Sequence, residues 1–407
     1  MQYDVIVIGG GASGIAAAVS AAEQQAHVLL IDQNDRLGRK ILASGNGRCN
    51  ILNCGNPRYY GDPDFAKAVL TECPYEELVS FFRQYGLFLT EEAEGRIYPL
   101  SFQSGPVMDV LKTALQILNV EILLQSTVCG IRKEAESFAV SLDNGLVYAS
   151  RNVIVSCGSC AQPKLGGSAS GYELLSSFGH SCTELFPSLV PVMTDSVSVS
   201  GLSGIRARCT VAILDGDTVC HRENGEVLFT DYGISGICIM QCSRFIHGLR
   251  QPVFELNFLH GVFDSPAELR QELVRRRELF GSSSPVMLLD GILSARISYA
   301  VLKQAGIPLR GESCSDLNEQ DLGRVSEAAF HYRIRITGTK GFDYAQVAAG
   351  GAACPEFDSR TMESRRVSGL YAAGEVLNVD GDCGGFNLMF AFASGRTAGR
   401  SAGLRRG

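Results

Sequence analysis

The chain has 407 residues, 45% of them hydrophobic and 19% charged, with a formal net charge of −7 and a pI near 5.5. That length carries two or three domains with a large core, and that balance is the one of a folded globular chain, not a disordered one. The acidic excess argues against nucleic acid as a partner, because a polyanion needs clustered Lys and Arg.

The first segment, Tyr3 to Ile8, is an apolar run of strand length. It leads at once into Gly9-Gly10-Gly11-Ala12-Ser13-Gly14, which reads G-x-G-x-x-G, and then into a helix-forming run from Ile15 to Ala22. Strand, glycine turn and helix are the context in which this motif carries meaning. Gly9 permits the tight turn, Gly11 lets the backbone approach a pyrophosphate, and Gly14 lets the helix pack close to the strand. The free N–H groups at the start of the helix, from Ala12 and Ser13 onward, would receive the diphosphate. A second apolar strand, His27 to Ile31, ends at Asp32, about 20 residues past the motif, where a carboxylate accepts hydrogen bonds from a ribose diol. A glycine-rich turn in an ordinary β-α-β unit is the plainer alternative, and it leaves the acid unexplained.

Residues 33–62 form a long connection rich in Gly and Asn. Loops of this length inside compact domains tend to be functional. Its candidate contact residues are Gly38, Arg39 and Lys40, then Gly45, Asn46, Gly47, Arg48, Cys49 and Asn50. A helix is expected over 64–85, broken near Pro74, and another over 105–118. Short strands are expected at 120–124, 128–132, 138–142 and 146–148, the last two joined by the hairpin signal Asp143-Asn144-Gly145. A buried strand over 152–156 ends at Cys157-Gly158. Val128, Cys157 and Gly158 join the candidate cofactor contacts.

From Leu189 to Phe258 the pattern becomes short strands punctuated by Gly and Asp, at 189–193, 208–214, 218–222, 227–229 and 253–258. These predict a small antiparallel sheet or barrel, with a helix at 234–247. Residues 265–323 read as mostly helical, and the alternating run Phe330 to Ile336 reads as an edge strand returning to the barrel. The end of the chain resumes the character of its start. Gly369 to Glu375 is a strand ending in Gly374 and an acid, and Gly384-Gly385-Phe386-Asn387 opens a helix through Ala398. A nucleotide-binding domain is therefore expected in two parts, 1–188 and 341–407, around a barrel domain at 189–260, a helical domain at 261–326 and a return strand at 327–340.

The C-terminal segment separates FAD from NAD. Glu375 offers a carboxylate to a ribityl hydroxyl, and the helix opening at Gly384 offers N–H groups to an electron-rich ring edge. Such a helix end stabilises reduced flavin. On these grounds FAD is the expected cofactor. Asp380, Gly385, Phe386, Asn387 and Leu388 belong to its candidate site, with Asp380 alternatively a turn residue and Asn387 also a helix cap.

The chain resembles a bacterial FAD-dependent oxidoreductase family that includes aminoacetone oxidases and enzymes reducing unsaturated 3-oxo bile acids. The likeness rests on Gly38-Arg39-Lys40 with Ser44 to Asn50, on Gly171 to Leu174 with Gly179-His180, and on Gly225 to Thr230 with Tyr232 to Gly236. Thr361 to Ser364, Gly369 to Gly381 and Gly384 to Leu388 complete it. The chain departs from the family's usual pattern at Asn46, Ile237, Ala349, Asn378 and Met389-Phe390. The resemblance implies an α/β chain: a Rossmann-like FAD-binding domain with an inserted antiparallel β-barrel domain and a small helical domain.

The activity expected is NAD(P)H-driven reduction of an enone or other small carbonyl compound by hydride transfer through flavin N5. With a single dinucleotide motif, NADH or NADPH would visit only transiently. One alternative is an amine or aminoketone oxidase that uses oxygen. Another is a non-enzymatic flavin-dependent binding or sensing protein. Arg48 and Lys40 either neutralise the diphosphate or reduced flavin, or fix the loop through surface ion pairs. Cys49 and Cys54 have the spacing of a redox pair, against the alternative of incidental thiols. His180 reads as a helix C-cap and Tyr232 as a core tyrosine or a proton donor. No metal-ligand spacing appears among the Cys and His. Fourteen Cys without framework spacing, no apolar stretch of membrane-spanning length and no leader ahead of the first strand lead to a cytoplasmic expectation.

Overall fold

A computed structural model describes residues 2–404, apart from the side chain of Gln2. The chain divides into two compact units: Met1–Phe186 with Gln346–Gly407, and Pro187–Ala345. No helix among the described residues is long and apolar enough to cross a membrane.

The first unit is built on a seven-stranded sheet. Its parallel part runs Glu121–Leu123, Val28–Ile31, Gln2–Ile8, Val147–Val155 and Leu370–Ala372. These strands are apolar without alternation because both faces are buried: successive residues Val5, Ile6 and Val7, and Val153, Ile154 and Val155, are all wholly buried. Phe138–Leu142 and Val128–Lys133 extend the sheet antiparallel. Val147–Val155 is one continuous strand where the sequence suggested two. Its first half pairs with the hairpin while its second half lies between Gln2–Ile8 and Leu370–Ala372. The polar break in the middle is internally satisfied: Ser150 Oγ donates to Asn152 O, and Asn152 Nδ2 donates to the Ala402 carbonyl.

The helices Pro63–Glu72 and Tyr75–Gln84 meet at the expected break, the first capped by Asp62, whose side chain accepts from Phe65 N. The long connection is more structured than its composition suggests. It holds a short helix, Arg39–Ala43, a tight turn, Ser44–Gly47, and strands Leu52–Asn53 and Tyr59–Gly61.

The last helix, Phe386–Leu404, outruns its expected end at Ala398 and lies against the first helix, Ala12–Glu23. Glycines four apart make this possible. A Cβ on Gly395 would collide with the Ser13 carbonyl, one on Gly399 with the Ala17 carbonyl, and one on Gly403 would fall 2.8 Å from the Ala21 carbonyl. Small residues at the same spacing on the partner (Ser13, Ala17, Ala21) complete a close backbone contact.

The second unit holds a closed antiparallel barrel in the order Val192–Thr194, Gly233–Ser235, Thr218–Phe229, Arg206–Asp215, Pro252–Asn257 and Tyr332–Thr339. The return strand closes it through Val192–Thr194 on one side and Pro252–Asn257 on the other. Thr218–Phe229 is a single strand where the sequence suggested two. Gly225 in its middle makes room for Cys238, which would sit 2.9 Å from an added Cβ. The helix expected over 234–247 is shorter, Ile237–Ser243, because Gly233–Ser235 is a barrel strand. The helices Pro266–Phe280, Ala295–Gln304 and Glu319–Phe330 share one apolar core with the barrel, in which Phe254 and Leu256 join Leu269, Leu273, Leu322 and Val325. Ser265 and Asn318 cap the first and third of these helices through side-chain oxygens.

Candidate functional site

The glycine loop has the geometry its sequence requires. Gly9 sits at φ 104°, and a Cβ there would strike the Ser156 carbonyl. A Cβ on Gly14 would strike the Gly9 carbonyl, so strand and helix touch at backbone distance. Gly11, by contrast, has open space where its Cβ would point. It is the N-cap of the first helix, with no side-chain cap and no acid in the first turn. The helix N-terminus is therefore electropositive, with no acid in its own first turn and no side chain on its free N–H groups, as a pyrophosphate site demands.

Asp32 is buried at the end of the second strand. Its Oδ2 accepts from Gly10 N at 2.6 Å, and its Oδ1 accepts from Asn34 N at 2.7 Å and Asn34 Nδ2 at 2.8 Å. Oδ2, with a single donor, retains lone-pair capacity, so the acid braces the glycine loop and can still accept from a ribose hydroxyl. Cys157 and Gly158 follow the strand beside Gly9. Burial pushes the Cys157 thiol up to about 12, and Gly158, at φ 73°, leaves open space at its Cβ position.

The two parts of the chain meet around this loop. Gly374, at φ 78°, packs on Ser13, whose hydroxyl would clash with any Cβ there. Glu375 beside it takes three protein donors: Lys40 Nζ at 2.5 Å, Ser159 Oγ at 2.7 Å and Ala348 N at 3.1 Å. Gly38, at φ 68°, is the αL residue preceding the short helix. Arg39 donates to Asn34 Oδ1 and to the Lys164 carbonyl. Arg48 pairs with Glu92 at 2.9 Å and lies over the rings of Tyr98 and Phe102, 4.7 Å from each centroid. Lys40, Arg39 and Arg48 each have a protein partner that holds the loop in place.

A second cradle forms between residues 45–50 and the last helix. Gly45, Asn46, Gly47 and Cys49 all have positive φ, at 56°, 55°, 84° and 57°. This coil presents Asn50, whose Oδ1 is buried with no hydrogen-bond partner and lies 2.8 Å from the position of a Gly385 Cβ. Gly384 and Gly385 enter the helix at φ 124° and 101°, and Asn53 Nδ2 donates to the Gly384 carbonyl at 2.7 Å. Asn387 turns back on its own approach: its Oδ1 accepts from Gly381 N, and its Nδ2 donates to Gly381 O, both at 2.8 Å. Tyr59 OH donates to the Phe386 carbonyl at 2.8 Å. Asp380 is buried in the strand Val379–Gly381, which pairs with Tyr59–Gly61, and Asp382 is held by Arg58 and Tyr60. Phe386 and Leu388 occupy the first helical turn. Val128 is buried at the start of the Val128–Lys133 strand.

These features fit FAD. An uncapped helix N-terminus with clearance at Gly11, the open face at Gly158 and an orphaned buried carbonyl on Asn50 are places where a dinucleotide's polar atoms would find partners. Phenylalanine and tyrosine packing fixes the second cradle: Tyr59 meets Phe386 edge-on at 6.3 Å.

The cysteine pair does not have the electrostatics of a redox couple. Cys49 is buried, which lifts its thiol to about 11 against a hydrogen bond from Ser44, and Cys54 is exposed with its thiol raised by desolvation and by Glu91. Thiol exchange needs a lowered pKa. His180 does more than end a helix. Its buried ring places Nδ1 2.7 Å from Glu356 and Nε2 2.9 Å from Ser364 Oγ, and it stacks on Phe357 at 4.5 Å. Desolvation lowers its pKa, against the pull of Glu356. Ser364 Oγ also accepts from the Arg366 and Val367 N–H groups, so this serine–histidine–glutamate chain ties down residues 356–367 and is not a nucleophile. No local signal in the sequence announces it, since its members lie 176 and 184 residues apart.

A family model described as "HI0933-like protein Rossmann domain" matches residues 3–401. A protein of Clostridium scindens named 3-dehydro-bile acid delta(4,6)-reductase is 36% identical over 408 residues, covering 98% of each chain. The ribosomal RNA dihydrouridine synthase of Escherichia coli is 29% identical, covering 97% of this chain and 96% of its own. Among solved structures, the 3-ketosteroid-delta4-(5alpha)-dehydrogenase of Rhodococcus jostii RHA1 in complex with 4-androstene-3,17-dione superposes with a TM-score of 0.50. It is 15% identical and covers 99% of this chain and 97% of its own, a likeness of fold.

Proposed function

The chain belongs to the HI0933-like Rossmann family and is an FAD-dependent oxidoreductase, and on that premise we propose that it reduces a carbon–carbon double bond conjugated to a carbonyl, with NADH or NADPH as the electron source. The observation that carries the reading is the end-to-end similarity to a reductase of unsaturated bile acids. The dihydrouridine synthases are also similar over nearly their full length. The uracil ring they would saturate has a double bond conjugated to a carbonyl as well, so one bond type unites both kinds of relative. A small organic enone is favoured over RNA because the chain carries a net charge of −7. The fourteen cysteines, all free, accord with a reducing compartment such as the cytoplasm.

Bound FAD would supply the hydride chemistry. The chain would supply position and charge. Its first helix N-terminus would hold the diphosphate, Asp32 the ribose, and the Gly384–Leu388 turn with Asn50 the ring end. With one G-x-G-x-x-G loop, the nicotinamide cofactor would share the flavin site in alternation with the substrate. Anaerobic stopped-flow absorbance tests this. Expected are rapid bleaching of the flavin by NADPH or NADH and recolouring on addition of 3-oxochol-4-en-24-oate. Bleaching by amines alone, with reoxidation by oxygen, would establish the oxidase reading instead. Recolouring only by uridine-containing ribosomal RNA would move the substrate to RNA.

A further inference from the structure

A cation of the barrel unit, Lys340, rests on aromatic rings and not on a carboxylate. Lys340 follows the closing strand Tyr332–Thr339, and its backbone N–H donates to the Pro191 carbonyl at 3.0 Å. Its ammonium lies 4.6 Å from the ring centroid of Tyr232 and 4.5 Å from that of Tyr344. Local structure enforces this arrangement. Thr230 bonds the Gly233 carbonyl through both N–H and hydroxyl, which fixes the turn that carries Tyr232. Gly233, at φ 148°, lies so close to Val192 that a Cβ would strike its carbonyl. The N–H groups of Tyr344 and Ala345 return to the Gly341 carbonyl at 3.2 and 3.1 Å, bringing Tyr344 back over Lys340.

Among the described residues no carboxylate is ion-paired with Lys340, Asp231 and Asp343 included. Lys340 is partly exposed and Tyr344 is exposed; the ammonium has three donors, and aromatic faces satisfy them only in part. A carboxylate brought to it would form a charge-assisted hydrogen bond, stronger than a neutral one. Two phenol hydroxyls on the same cluster can donate to the same anion.

We propose that Lys340, Tyr232 and Tyr344 form a recognition site for the carboxylate of an amphipathic organic acid, a proposal that rests on the small-molecule reading above and names a substrate class for it. The two rings would flank the apolar stem that carries the carboxylate, and the ammonium would take the charge. The site reads the acid, so it sets affinity.

The test uses full-length FAD-loaded protein. Reductive 13C-methylation keeps the lysine charge and reports on Lys340, whose resonance is identified by its loss in Lys340→Arg. Titration with 3-oxochol-4-en-24-oate is expected to shift that resonance, while the methyl ester does not. Calorimetry should show the acid binding about tenfold tighter than the ester, the scale of one charge-assisted hydrogen bond. In Lys340→Gln the acid should fall to the ester's affinity, with the flavin spectrum and melting temperature retained as proof of folding. Tyr232→Phe should lose part of the preference. Equal binding of acid and ester to the wild type, or a preference that survives in Lys340→Gln, overturns the proposal. If neither steroid binds, the steroid reading fails on its own, and 4-phenylbutyrate at millimolar concentration decides the site. A shift of the Lys340 resonance then upholds it, and no shift overturns it.

Discussion

Two glycines three residues apart in one loop do opposite work. Gly11 faces open space at φ −82°, so an alanine there meets no protein atom and adopts the backbone without strain. Gly14 has the Gly9 carbonyl where its Cβ would be. Gly11→Val is therefore expected to keep the wild-type melting temperature of the cofactor-free protein and to lose FAD, read as absorbance near the flavin maximum after purification. Gly14→Ala is expected to lower the melting temperature itself, by overpacking of about 1–3 kcal/mol. Equal melting temperatures for the two variants would contradict this division. Both glycines are legible in the sequence because their roles are set by backbone geometry within fourteen residues of chain. The charged residues are not. Lys40 and Glu375 pair across 335 positions, and Arg48 is set between Tyr98 and Phe102, so their protein partners depend on the assembled fold.

At the scale of elements, the contact between the first and last helices decides whether the nucleotide-binding unit closes. Gly399 lies at the centre of that contact. Gly399→Ala is expected to destabilise the protein by about 3 kcal/mol, because backbone on both sides prevents either helix from yielding. Gly323→Ala, in the interior of Glu319–Phe330 with nothing within 4 Å of its Cβ, should stabilise by up to about 1 kcal/mol through helix propensity alone. Thermal or denaturant melts of the two variants check the contrast. Strand, turn and helix positions were largely readable from apolar periodicity. The strands Val147–Val155 and Thr218–Phe229 each looked like two, because polar residues and Gly225 interrupt the pattern while tertiary partners carry the strand through. The helix after Gly236 looked too long because apolar residues continue across a barrel strand and a helix without a break.

At the scale of the whole molecule, the chain enters its nucleotide-binding unit, leaves it at Phe186 and returns at Gln346. The segment between has its own closed barrel and its own apolar core, with helices capped by their own residues. Residues 187–345 expressed alone are accordingly expected to melt cooperatively and to show protected amides in the barrel strands. A broad, non-cooperative melt with no protection would refute that independence. The remaining unit has no such autonomy in time. Its central sheet takes Leu370–Ala372 as a strand, and its first helix needs the glycine face of the last one. During synthesis the inserted segment can fold as soon as it emerges from the ribosome. The nascent Gly9–Gly14 loop must wait, already made yet unsupported, until Leu370–Ala372 and the glycine face of the last helix have emerged, so a segment translated first is completed late.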